Sequence, residues 1–215
     1  MPDLDLGDFL QATIALIAIA NPFAALPVFL SLVPGHDPHS QRAAANRVAL
    51  AVFAILAGAA LIGRFVLLLF GISFAAFRVG GGLVVTLTGL DMLRARDRGR
   101  EEDPATTLSA ADQLLVPVAM PLIAGPGTII TAMTMAAAAR PATVPWMVLV
   151  AVAVTALAVW LVLAMSGWVQ QRLGARGQAI AVRFMGLVLV AVGAQLVLGG
   201  IAEFFGLGRM PAQPG

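Results

Sequence analysis

Apolar residues run along this chain in six long stretches, at roughly 9–33, 44–69, 77–93, 114–138, 146–169 and 182–203, with polar residues gathered between them. Within a stretch the apolar positions do not alternate as the strands of a membrane barrel require, so each reads as a helix. Each is close to the roughly 20 residues that carry a helix through about 30 Å of hydrocarbon. The pattern predicts an all-α polytopic membrane protein with six transmembrane helices. The connections at 34–43, PGHDPHSQRA, and at 94–113, rich in Arg, Asp and Glu, read as hydrophilic loops, whereas 70–76, FGISFAA, reads as a bare apolar turn.

Two stretches carry an interruption. Residues 20–27 read ANPFAALP and residues 119–126 read AMPLIAGP, each with two prolines five apart. Proline removes a backbone donor and crowds the carbonyl four residues back, so each pair is expected to break its helix. At about 1.5 Å per residue, Asn21 and Pro22 lie about 18 Å into the first stretch and Gly125 about 16 Å into the fourth. Both breaks then fall near the midplane, where irregular backbone persists only if it is buried in protein or lines a wet cavity.

Composition agrees with the pattern. Of 215 residues, 60% are apolar and 11% charged, against roughly 45–50% and 25% in soluble domains, and mean hydropathy is +0.95. Cysteine is absent, which excludes disulfides, thiolate metal sites and cysteine nucleophiles. All 13 basic residues are arginines in short loops or at helix ends, so the high pI of about 10.9 is no sign of nucleic-acid binding. The acidic start, MPDLDLGDF, argues against a removed signal peptide. Arg42, Arg47, Arg94, Arg96, Arg98, Arg100, Arg172, Arg176 and Arg183 flank the odd-numbered connections, and only Arg64, Arg78, Arg140 and Arg209 fall on the other side. By the positive-inside rule the odd loops are cytoplasmic and both termini lie outside the cytoplasm, in the inner membrane of a prokaryote.

The two halves share landmarks in the same order. Pro22 and Pro27 align with Pro121 and Pro126, Gly71 falls near Gly174, and FRVGGGLVV from Phe77 matches VRFMGLVLV from Val182. With three spans per half, the second half enters the membrane from the opposite side, an inverted-topology repeat with broken first helices. The halves are 1–93 and 114–215, and 94–113 is a cytoplasmic linker.

Four motifs carry a resemblance: NPFAALPVFLSL at 21–32, MPLIAGPGTI at 120–129, FGISFAAFRVGGG at 70–82 and RFMGLVLVAVGAQLVLGGI at 183–201. Together they strongly resemble the MarC family of bacterial membrane proteins, over nearly the whole chain. Members of the SnatA type transport small neutral amino acids such as glycine and alanine. The resemblance implies that the site segments run from Asn21 to Pro27 and from Pro121 to Thr128. Phe23 and Ala24 stand where a smaller, more flexible Ile-Gly-like pair is expected.

The candidate substrate-binding residues are Asn21, Pro22, Ala25, Pro27, Pro121, Gly125, Pro126, Gly127 and Thr128. Asn21 offers an amide at the first break and is equally well placed to cap the half-helix that starts at Pro22. Glycines 125 and 127 would let a ligand approach the backbone, or else let helices approach each other. Thr128, Thr131 and Thr134 share a stripe, and such threonines usually bond to a carbonyl of their own helix. Thr86, Thr88 and Gln195 are weaker candidates for ligand contact and read first as interhelical bonds, and Gly80, Gly81 and Gly82 as a close crossing. Arg78 and Arg183 open spans three and six, where a cation sits badly on the helix dipole; lipid phosphate or a carbonyl-rich helix end would offset them. Arg64 is expected to snorkel, and Asp91 to pair with Arg94 or Arg96 at the interface or to relay protons. His36 and His39 share a loop with Asp37, a poor metal site.

These observations lead to a secondary transporter of small neutral amino acids, working by alternating access as the halves rock around a midplane site, driven by a proton or sodium gradient. Its partners are the substrate, the coupling ion and lipid; no cofactor, nucleic acid or enzyme chemistry is expected. A passive channel or exporter, and a non-transporting scaffold, are the alternatives.

Overall fold

The computed structural model describes residues 6–33, 38–94, 123–138 and 146–207, which are helical and contain no strand. Their helices are α1 (Leu6–Ala20), α2 (Pro22–Leu32), α3 (Pro38–Leu69), α4 (Phe74–Arg94), α5 (Pro126–Ala138), α6 (Trp146–Ala164) and α7 (Ser166–Phe204). Four segments within them are long and apolar enough to cross a membrane: His39–Leu69, Phe74–Arg94, Trp146–Ala164 and Arg176–Phe204. The linker 95–113, the start of the fourth apolar stretch and Pro121 lie outside the described residues.

Helix ends follow the local chemistry. Asn21 takes a left-handed backbone, φ 39° and ψ 65°, and its Oδ1 accepts from the Ala24 amide at 3.4 Å. Asparagine tolerates this conformation better than most residues, and Pro22 then opens α2 with a φ suited to a helix and no amide to satisfy. Val33 ends α2 in extended backbone, as a residue before proline should. Between α3 and α4, Gly71 has φ 65°, its amide bonds the Leu68 carbonyl at 3.1 Å, and the Ile72 amide bonds the Leu67 carbonyl at 2.9 Å. That pair of bonds is a Schellman cap. Ser73 then caps α4 by accepting from the Ala76 amide at 3.2 Å. The apolar turn expected at 70–76 is thus a helix stop followed by a helix start.

The expected break at two prolines is a break at one. Pro27 lies inside α2. Its missing amide deprives the Phe23 carbonyl of a helical partner, a local loss that one turn of helix withstands. The third span of the second half also differs from expectation. Helix resumes at Ser166, directly after a break at Met165, and the bend lies at Gly174 (φ 59°, ψ 178°), so helix runs well ahead of residue 182.

α4 and α7 lie antiparallel in close contact, because small residues recur every seventh position on each. Ala75, Gly82 and Gly89 face Gly200, Gly193 and Gly186. A Cβ on Gly82 would lie 2.6 Å from the Gly193 carbonyl oxygen, and one on Gly89 would lie 2.7 Å from that of Gly186. Lipid gives helices no hydrophobic reason to associate, so such backbone-to-backbone approach supplies the dispersion that holds them. Gly80, by contrast, would meet nothing within 4 Å, which corrects its expected part in the crossing.

The buried apolar residues form two clusters. The larger joins α1, α2, α3, α5, α6 and the start of α7, through Val169, around Leu16, Leu26, Phe29, Leu56, Ile123 and Leu163. The smaller belongs to α4 and α7, with Val85, Leu189 and Leu196 at its centre. The clusters do not follow the two halves of the sequence, since helices from both halves enter each. Apolar side chains left exposed, such as Leu50, Phe65, Leu157 and Leu187, face the surroundings that a bilayer provides.

Candidate functional site

A cavity of about 40 Å³ lies on the seam between the two clusters. Ile19 of α1 and the stretch Ile123 to Thr128 close it on one side; Val85, Thr88 and Met92 of α4 and Leu189 of α7 close it on the other. Four of the expected site residues line it: Gly125, Pro126, Gly127 and Thr128. The 13-residue α5 starts here at Pro126, so its first-turn amides, which have no acceptor within the helix, and the positive end of its dipole lie at the cavity.

The other expected residues sit differently. Asn21 is 2% exposed and does not line the cavity; its Nδ2 donates to Met92 Sδ at 3.4 Å, so it reaches the cavity wall only through that side chain. Pro22 is buried, and Ala25 is wholly buried within the larger cluster. Pro27 is in the body of α2, and Pro121 is outside the described residues. The first break therefore supports the cavity from behind while the second forms its floor.

Hydrogen bonds show what each polar group is free to do. The Thr128 hydroxyl faces the Gly125 carbonyl at 2.8 Å and the Ile123 carbonyl at 3.0 Å, and the Gly125 carbonyl also accepts from the Ile129 amide at 3.1 Å. Its proton is thus committed to oxygens released by the break. Thr131 and Thr134 bond to carbonyls of their own helix, as expected of membrane threonines. Thr86 and Thr88 do the same, donating to Gly82 and Val84, which corrects their expected role between helices. Thr88 is among the residues that line the cavity, and its oxygen retains lone pairs able to accept a hydrogen bond. Gly127 has no room for a side chain, since a Cβ would lie 2.6 Å from Val85 Cγ2 and 3.1 Å from Ile19 Cγ2. Its bareness brings α5 against α4 and α1 and thereby sets the width of the cavity.

Sequence reasoning missed the apolar wall. Ile19, Val85, Met92 and Leu189 carry no chemical signature, and only the recurrence of Val85, Thr88 and Met92 on one face of α4 could have marked them. It also missed the partner of Arg78. Arg78 Nη1 pairs with Glu203 at 2.9 Å, across the end of the α4–α7 pair, where Gly199 leaves space for the guanidinium. A carboxylate in the last turn of α7, rather than lipid or carbonyls, offsets the dipole penalty. Asp91 is exposed and makes no ion pair with Arg94; Arg96 lies outside the described residues. Arg183 and Gln195 are exposed.

Comparison with known proteins places these features in a lineage. The model of the MarC family of integral membrane proteins matches residues 6–205. A UPF0056 membrane protein of Methanocaldococcus jannaschii is 32% identical over 200 residues, covering 92% of this chain and 98% of its own. The UPF0056 membrane protein YhcE of Escherichia coli is 30% identical over 205 residues, covering 94% and 95%. The UPF0056 inner membrane protein MarC of Citrobacter koseri is 32% identical over 203 residues, covering 88% and 92%. No solved structure matches. Matched by the family model almost end to end, and alike in length and sequence to these relatives, the chain belongs to the MarC family of integral membrane proteins.

Proposed function

We propose that the protein is a secondary transporter of small neutral amino acids, of glycine or alanine size, working by alternating access and driven by a proton or sodium gradient. With this goes the finer architecture: six spans in two inverted three-helix repeats, and both termini outside the cytoplasm. The observation that carries the reading is where the cavity lies. It sits between the two apolar clusters, beside a helix N-terminus, and no ionisable side chain is among its described lining residues. A zwitterion without a side-chain charge suits such a place. Its carboxylate would face the first-turn amides of α5 at Gly127 and Thr128, and its ammonium group the Thr88 oxygen.

At roughly 10–15 Å³ per water, the cavity has room for about three water molecules, short of the five heavy atoms of glycine. Substrate access therefore requires the α4–α7 pair to shift against the other helices, and the same shift, made toward one face or the other, is alternating access. Ile19, Val85, Met92 and Leu189 leave no space for a long side chain. Support for the inverted repeat comes from Gly71 and Gly174, both with positive φ, and from Gly81 and Gly186, which coincide when Phe77 is set on Val182.

Uptake of a labelled amino-acid panel into proteoliposomes under imposed proton and sodium gradients tests the proposal. Saturable glycine or alanine counterflow is expected. Transport of phenylalanine or lysine as fast as glycine, or uptake that never saturates, would overturn it.

A further inference from the structure

Arg64 stands five residues before the end of α3, on a face where Leu61 is 51% exposed, Phe65 65% and Leu68 69%. The turn beyond it is also apolar and open, with Leu69, Phe70 and Ile72 exposed. A turn so apolar borders the hydrocarbon, and Arg64 lies about 7 Å further along the helix from the end of α3. Its guanidinium keeps its charge, and a cation at that depth needs an anion or a polar surface. Arg64 makes no ion pair or hydrogen bond among the described residues.

Beside it opens a cavity of about 380 Å³, lined by Arg64 with Leu67, Leu68, Ile72, Phe74 and Ala137. That is small-molecule size, and among its described lining residues all but Arg64 are apolar. A simple inorganic anion would leave the apolar walls empty, and an uncharged lipid would leave the cation unanswered. The occupant that satisfies both is an amphiphile with one anionic head and an acyl tail. The geometry points to a bound anionic glycerophospholipid, its phosphate on Arg64 and an acyl chain between the end of α3, the start of α4 and the last turn of α5. The site is remote in sequence and lining from the seam cavity and stands independently of transport. A lipid there would tie the α3–α4 turn to α5.

Native mass spectrometry of the purified protein with phosphatidylglycerol or phosphatidylcholine of matched chains tests this. The parent should hold phosphatidylglycerol about fivefold more tightly, or better. Arg64→Gln should remove the preference, while Arg64→Lys, which keeps the charge, should retain most of it. Ala137→Phe fills the cavity without touching the charge and should weaken retention of both lipids, so the test survives a poorly folding Arg64→Gln variant. Equal retention of the two lipids by the parent, an undiminished preference in Arg64→Gln, unchanged retention in Ala137→Phe, or displacement of the lipid by inorganic phosphate alone would each overturn the assignment.

Discussion

Gly82→Ala adds one methyl group where α4 meets α7. The new Cβ would sit 2.6 Å from the Gly193 carbonyl oxygen and 2.8 Å from the Val197 amide nitrogen, whereas ordinary contact begins at 3.4 Å. Both obstacles are backbone, so no rotamer change relieves them and the helices must part locally by about 0.8 Å. A gap of that order forfeits roughly a quarter to a half of each dispersion contact along its length. Overpacking of this kind costs about 1–3 kcal/mol, set against about 0.5–1 kcal/mol gained because alanine is the better helix former. Gly80→Ala shares the gain and escapes the cost, since a Cβ there meets nothing within 4 Å. The difference between the two variants isolates the overpacking term, about 1–3 kcal/mol. Thermal unfolding in one detergent at one scan rate, followed by the fluorescence of Trp146, Trp160 and Trp168, should show Gly80→Ala at or above the parent and Gly82→Ala several degrees below it. Gly82→Ala melting with Gly80→Ala would refute the close α4–α7 contact.

At the first break, Asn21→Gly should cost only a few tenths of a kcal/mol, because glycine accepts the left-handed backbone, while Asn21→Ala should cost about 1–2 kcal/mol; the same unfolding assay checks the order. For the ion pair of Arg78 and Glu203, whose side chains are 25% and 44% exposed, a double-mutant cycle with glutamine should give a coupling below about 1 kcal/mol that shrinks with salt. A larger coupling would mean the pair is less solvated than its exposure indicates. Topology can be tested in a chain free of cysteine: Asp3→Cys should react with an impermeant reagent from outside intact cells, and Asp97→Cys only after the membrane is opened. The reverse pattern would reject the orientation drawn from the arginines.

What the sequence determined by itself are the features set by a residue and its near neighbours, or by the solvent. The apolar runs dictate helices in a bilayer, because backbone groups there must be satisfied within the segment. Asn21-Pro22 and Gly125-Pro126 mark helix starts, and Gly71 a helix stop, because caps and left-handed turns depend on a handful of adjacent residues. Which of two nearby prolines ends a helix was already less legible, since Pro27 lies inside α2. Tertiary structure alone decided that α4 lies against α7, that Glu203 answers Arg78, and that Met92 stands between Asn21 and the cavity. Each of these joins residues about 70 or more apart in sequence, and in a membrane nearly every span is apolar all round. Hydrophobicity then cannot say which faces meet. The choice falls to shape, to where glycines let two backbones approach, and that is a property of pairs of helices that neither sequence segment holds alone.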